Sequence, residues 1–168
     1  RIAAEGLSYA FSDGNKAIIL EVNCETDFVA RNEEFKTLVS NIASALLNSD
    51  VKTMEEANDV SLKDGTTISQ AVVNFTAKIG EKISFRRFEK VSKEDSQVFG
   101  IYSHLGGKIT TLVTLNGDNA DVARDVAMHV AAMRPLCISS DEVPTDTLEK
   151  EKAIYKEQAI NEGKPEDI

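Results

Sequence analysis

Leu7, Tyr9 and Phe11 alternate with small or polar residues, Asp13-Gly14-Asn15 interrupts the pattern, and Ala17-Ile18-Ile19-Leu20-Glu21-Val22 follows. Alternation marks strand, and Asp-Gly supplies the positive φ of a tight turn, so Gly6–Asn23 is predicted to form a hairpin. From Asn32 the period changes. Phe35, Leu38, Val39, Ile42 and Leu46 recur three or four positions apart, the spacing of one helix face. Asn32 is placed to cap that helix, with Glu33 and Glu34 suited to its N-terminus.

Asn48–Thr67 is polar and turn-rich, with one short helix expected around Met54–Val60. Ile68, Val72, Phe75 and Ile79 form a second helical stripe, closed by Gly80, the residue type that commonly ends helices. Lys82–Val91 sets Ile83, Phe85 and Arg87 imperfectly against Ser84, Arg86 and Phe88, and its aromatic content favours strand. Ser92–Ser96 reads as a linker.

The plan then repeats. Phe99–Lys108 leads into Ile109–Asn116 and a helix from Asn119 to Met133, as Gly6–Tyr9, a Gly-containing turn and Ile18–Asn23 lead into the first long helix. Pro135 ends the second helix. Ser139–Pro144 links to a charged helix over Thr145–Glu162, stopped by Gly163 and Pro165. These patterns imply an α+β fold of two related lobes, each an antiparallel hairpin or small sheet packed with helices, followed by a protruding C-terminal helix. The expected divisions are 1–95 for the N-terminal lobe, 96–144 for the C-terminal lobe and 145–168 for the helical extension.

Charge narrows the function classes. With 19 basic and 28 acidic residues the net charge is −9, which argues against neutralising a nucleic-acid backbone. Nine acidic and four basic residues lie within 141–168, so that segment holds more than half of the net charge. Its helix has only the thin stripe Leu148, Tyr155 and Ala159. Such a helix is either solvated or packs on a segment outside itself, a homodimer mate being the corresponding expectation. The run Ala17–Leu20 falls far short of the roughly 18 residues of a membrane span, so no membrane role is expected. Arg1-Ile2-Ala3-Ala4-Glu5-Gly6 has no signal-peptide pattern and reads as the start of a fragment. A reducing compartment is implied by two cysteines without a Cys/His cluster.

Few residues offer catalysis. Cys24 and Cys137 read as ordinary core thiols. His129, seven residues after Val122 and three after Val126, falls on the apolar face of its helix with Met133, as a hydrogen-bonded core or interface residue. His104 precedes Gly106-Gly107 near a hairpin turn and is expected to be exposed. Gly106-Gly107-Lys108 lacks the spacing and following helix of a phosphate loop. Arg86 and Arg87 are expected to pair with Glu81 and Glu89. Neither a metal nor a cofactor is expected. The least ordinary stretch is Cys24-Glu25-Thr26-Asp27-Phe28-Val29-Ala30-Arg31, where Thr26 or Asp27 can cap a helical turn with Phe28 packed beneath it.

Asn23–Arg31 resembles the signature of the elongation factor Ts family, nucleotide-exchange factors of bacterial and organellar translation. The resemblance continues in order through Ala77-Lys78-Ile79-Gly80-Glu81, Tyr102-Ser103-His104 and Ala127-Met128-His129-Val130-Ala131-Ala132. It implies a non-enzyme that binds the GTPase elongation factor Tu and speeds GDP release, in the cytoplasm or an organelle matrix. The positions matching family contacts are Thr26, Asp27, Phe28 and Val29, then Ile79 and Gly80, and the hairpin residue His104. In the family the Phe wedges between two helices beside the nucleotide, weakening magnesium and phosphate contacts. The resemblance further implies a core-region fragment: an N-terminal helical domain, the return arm of a helical excursion and the later strands of the second lobe are absent, leaving that lobe incomplete. The alternative from another class is an interaction domain of the same fold without exchange activity. A third reading, a Cys24-dependent enzyme, lacks an orienting residue.

Overall fold

Leu7 faces Val22, Tyr9 faces Leu20 and Phe11 faces Ile18 across the first hairpin, so the apolar alternation becomes one continuous face. In this computed structural model, which describes residues 2–165, the hairpin consists of β1 (Glu5–Asp13) and β2 (Lys16–Cys24). Gly14, at φ 59°, takes the first of the two loop positions, where a type II′ turn demands positive φ. β3 (Ser84–Ser92) completes an antiparallel sheet in the order β1-β2-β3.

The broken alternation of β3 has a local cause. Glu21 pairs with Arg87 but Val22 pairs with Phe85, which leaves Arg86 as the extra residue of a β-bulge. The bulge resets the pleat, so Phe85 and Phe88, three positions apart, are both buried.

Between β2 and β3 lie α1 (Asp27–Ala30), α2 (Glu33–Leu47), α3 (Met54–Asn58) and α4 (Ile68–Ile79). Phe35, Val39, Ile42 and Leu46 of α2 are fully buried and share one core with Ile18, Leu20, Val22 and Cys24. From α4 come Ile68 and Phe75, the latter with its ring centroid 6.0 Å from that of Phe35. The caps are as predicted: Asn32 accepts from the Glu34 and Phe35 amides, and Gly80 ends α4 at φ 75°.

A cap that no local pattern announces comes from β3. Lys90 Nζ donates to the Leu46 carbonyl at 3.1 Å and also to the Ser49 carbonyl, tying the C-terminal end of α2 to the sheet. Burial holds this ammonium below the usual lysine value. Lys90→Met is expected to destabilise the fold by about 1–2 kcal/mol through those lost carbonyl contacts, as a lower urea midpoint at unchanged m-value.

β4 (Gln97–His104) and β5 (Ile109–Asn116) form a second antiparallel hairpin, followed by α5 (Ala120–Met133). Here the expected face is wrong. Ala123, Ala127 and Ala131 are the buried residues of α5, whereas His129 is exposed and Val122, Met128 and Met133 stay 38–66% exposed. The reason is close approach: Gly100 of β4 lies under the Ala123 carbonyl, and Thr111 Oγ1 donates to the Ala127 carbonyl at 2.6 Å. Only a small-residue stripe fits so near a sheet.

The chain divides into two compact units, Arg1–Met133 and Arg134–Ile168. The second contains a 3₁₀ turn (Ser140–Glu142) and α6 (Thr145–Asn161), none of whose residues is buried. Cys137, expected in a core, is half-buried there, its thiol donating to the Ser139 carbonyl at 3.1 Å. Among the described residues no helix is long and apolar enough to cross a membrane.

Candidate functional site

Leaving β2 at Cys24, the chain must turn sharply, and Thr26 makes the turn by capping α1. Its Oγ1 accepts from the Val29 amide at 3.4 Å. A single helical turn has two neighbouring apolar residues to place, Phe28 and Val29, which point about 100° apart. Val29 takes the inward position at 6% exposure and joins the core, leaving Phe28 at 82% exposure. The expectation that Phe28 packs beneath the capped turn is thus overturned, while the cap itself stands.

Asp27 opens α1 and is paired with Arg31 at 3.2 Å, both side chains well exposed. Such a surface pair contributes roughly 0–1 kcal/mol, so it can be exchanged for a contact with another molecule.

The second sequence-predicted segment lies beside the first, joined through Glu81. Its Oε1 accepts from the Thr26 hydroxyl at 2.7 Å, and its Oε2 accepts from the amides of Thr26 at 3.1 Å and Glu25 at 3.2 Å. In return the Lys82 amide donates to Glu25 Oε1 at 3.0 Å. Gly80 is therefore adjacent to the clasp on α1, exposed and left-handed, with Ile79 half-buried against the core. Arg87 does not use Glu81, contrary to expectation. It lies opposite Glu21 across the sheet, Nε donating to Oε2 at 2.6 Å. Burial acts to raise the Glu21 carboxyl, but hydrogen bonds from Asn23 and Arg87 outweigh it and hold the group below its usual value.

The third segment also lies beside α1. A groove of about 400 Å³ is lined by Asp27, Ala30 and Arg31 together with Leu105 and Gly106 of the β4–β5 turn. That turn docks on β1, where the Ser8 amide and hydroxyl both donate to the Gly107 carbonyl at 2.8 Å. Gly106-Gly107 is thus a docked hairpin turn. At its edge His104 is exposed, with Nδ1 2.9 Å from the Tyr102 hydroxyl oxygen and Arg124 stacked 5.8 Å from the Tyr102 ring. Leu105, which sequence reasoning passed over, is 68% exposed at φ 51°. Its one sequence signal is an isolated apolar residue directly before two glycines.

Cys24 is unfit as a nucleophile. It is fully buried, and its thiol donates to the Thr26 carbonyl at 3.1 Å. Burial first, then the Glu81 carboxylate, pushes the thiol from 9.0 up to about 11. Because the folded value is the higher, the unfolded thiol ionises first. Stability on this account is complete below about pH 9 and declines as pH rises toward 11, by roughly 1–3 kcal/mol. Urea midpoints at pH 8 and pH 10.5 for wild type and Cys24→Ala check this: the variant should lose less on alkalinisation. The sequence offers Glu81 as a motif residue and as a partner for the nearby arginines, not as this acceptor, whose contacts span 55 and 56 residues of sequence, a separation at which no local signal exists.

What the arrangement offers is a presentation surface: an exposed aromatic ring on α1, whose N-terminal end is clasped by the residue after a left-handed glycine and which shares a groove with the exposed Leu105. Among the described residues no group of three or more acidic, His or Cys side chains is arranged to hold a metal. A family model described as elongation factor TS matches residues 25–168.

Proposed function

The chain belongs to the elongation factor Ts family, a family of translation elongation and guanine-nucleotide exchange factors, and we propose that this protein binds the GTPase elongation factor Tu and accelerates its release of GDP. The observation that carries the reading is Phe28, 82% exposed on a turn that Thr26 caps and Glu81 clasps at its start. An exposed aromatic ring on a rigid base is costly to solvate and ready to be buried by another molecule. Asp27 and Phe28 would reach the GTPase domain, Phe28 entering between two helices beside the nucleotide. Thr26 and Val29 would hold the turn, one as its cap and the other as its core anchor. Ile79 with Gly80, and His104, would make the flanking contacts.

The protein acts here by shifting an equilibrium rather than by forming or breaking bonds. It accelerates exchange only so far as it binds the nucleotide-weakened GTPase more tightly than the GDP-loaded one. The test is direct: mix the protein with elongation factor Tu carrying a fluorescent GDP and follow its release in excess unlabelled nucleotide. A release rate that rises with protein concentration and saturates is expected. Release that stays at the spontaneous rate while the two proteins bind would replace this reading with the non-exchanging interaction domain.

A further inference from the structure

A four-residue helix cannot hold itself: forming one turn fixes several residues for a single backbone bond, so its geometry must be imposed from outside. For α1 two anchors are visible. Val29 fixes it to the core from below. At its start, the Glu81 carboxylate takes three donors, the amides of Glu25 and Thr26 and the Thr26 hydroxyl. The relay continues, because the oxygen that donates to Glu81 also accepts from the Val29 amide. Glu81 therefore governs both the entry direction of the chain and the orientation of the cap. The Phe28 ring, with 82% of its surface exposed, is held in place almost entirely by its backbone.

We propose that Glu81 is a positioning residue for Phe28: the carboxylate that follows Gly80 aims the ring, so that it enters the partner already oriented. This rests on the exchange reading above. The consequence is specific. Loss of the clasp lets α1 fray or rotate, and a ring displaced by about 1 Å acts on the wrong part of the partner. Misplacements of that size cost up to about 100-fold where geometry decides a rate. Because Glu81 acts through Phe28, its removal should matter only while the ring is present.

The experiment is a cycle of GDP-release measurements on the whole protein: wild type, Glu81→Ala, Phe28→Ala and the double variant, each with a maximal rate, a half-saturating concentration and a melting temperature. Glu81→Ala is expected to lower the maximal rate about tenfold or more, with a smaller change in half-saturation, and to have no further effect beside Phe28→Ala. Glu81→Gln keeps one acceptor oxygen, is isosteric, and should fall between wild type and Glu81→Ala, which keeps the proposal testable if the alanine variant fails to fold. Full-rate release by a folded Glu81→Ala overturns the proposal, and so does full-rate release by a folded Glu81→Gln where the alanine variant does not fold. So do equal losses from Glu81→Ala with and without the ring, which would make Glu81 an independent contact. If Phe28→Ala itself releases GDP at the wild-type rate, the exchange reading of the ring fails and the positioning role falls with it. That result is distinguishable from the other two, because it appears before Glu81 is changed.

Discussion

Phe28→Ala is expected to slow catalysed GDP release about 10- to 100-fold, since a buried Phe contributes roughly 1.5–3 kcal/mol and each tenfold in rate takes about 1.4. The same variant should melt within about 2 °C of wild type, because the ring is 82% exposed and exposed positions rarely shift stability by more than about 0.5 kcal/mol. The combination is diagnostic: few residues separate folding from activity so cleanly. A thousandfold acceleration, however, needs about 4 kcal/mol of coupling, more than one ring supplies. On the proposed reading the remainder falls to the further contacts assigned to Ile79-Gly80 and His104. Stopped-flow release beside thermal melts of the same preparations checks both halves.

The largest stability effect is expected at Gly100. A Cβ there would lie 2.1 Å from the Ala123 carbonyl oxygen, 2.4 Å from its carbon and 2.9 Å from Val113 Cγ2. Two of these are backbone atoms of α5 and cannot turn away, so the helix must lift off its hairpin. Gly100→Ala should cost about 3 kcal/mol, the upper end of overpacking penalties, and lower the melting temperature by about 6–12 °C. Gly65 provides the contrast. Its left-handed φ of 85° disfavours alanine too, but nothing lies within 4 Å of a Cβ built there, so Gly65→Ala should cost only about 1 kcal/mol. Comparable losses at the two sites would mean that α5 tolerates the shift and that its alanine stripe is not set by close approach.

Much of the fold was legible because it is written in short-range periodicity. The first hairpin, the stripes of α2 and α4, the Asn32 cap and the Gly80 stop all depend on residues within a few positions of one another. What escaped depends on tertiary contact. Hydrophobicity points to a stripe of Val122, Val126, His129 and Met133 on α5, but steric room selects Ala123, Ala127 and Ala131 for full burial and leaves Val126 half-buried. The bulge at Arg86, the Lys90 cap on α2 and the Glu81 clasp on α1 join segments far apart in sequence. As for the site, capping logic at Thr26 or Asp27 places Phe28 beneath the turn, whereas Val29 occupies that position and Phe28 faces out. One turn of helix over a sheet can bury one of them, and the smaller, β-branched Val29 fills the place under α1.

The affinity of the protein for nucleotide-free against GDP-loaded elongation factor Tu, compared between wild type and Phe28→Ala, bears most directly on the ring as a lever. Reciprocity requires that whatever weakens GDP binding is weakened by GDP in turn. The preference for the nucleotide-free form should therefore shrink about 10- to 100-fold without the ring, matching the loss in release rate. An unchanged preference in a folded Phe28→Ala protein would contradict the account, leaving Phe28 as a contact that adds grip but carries none of the exchange.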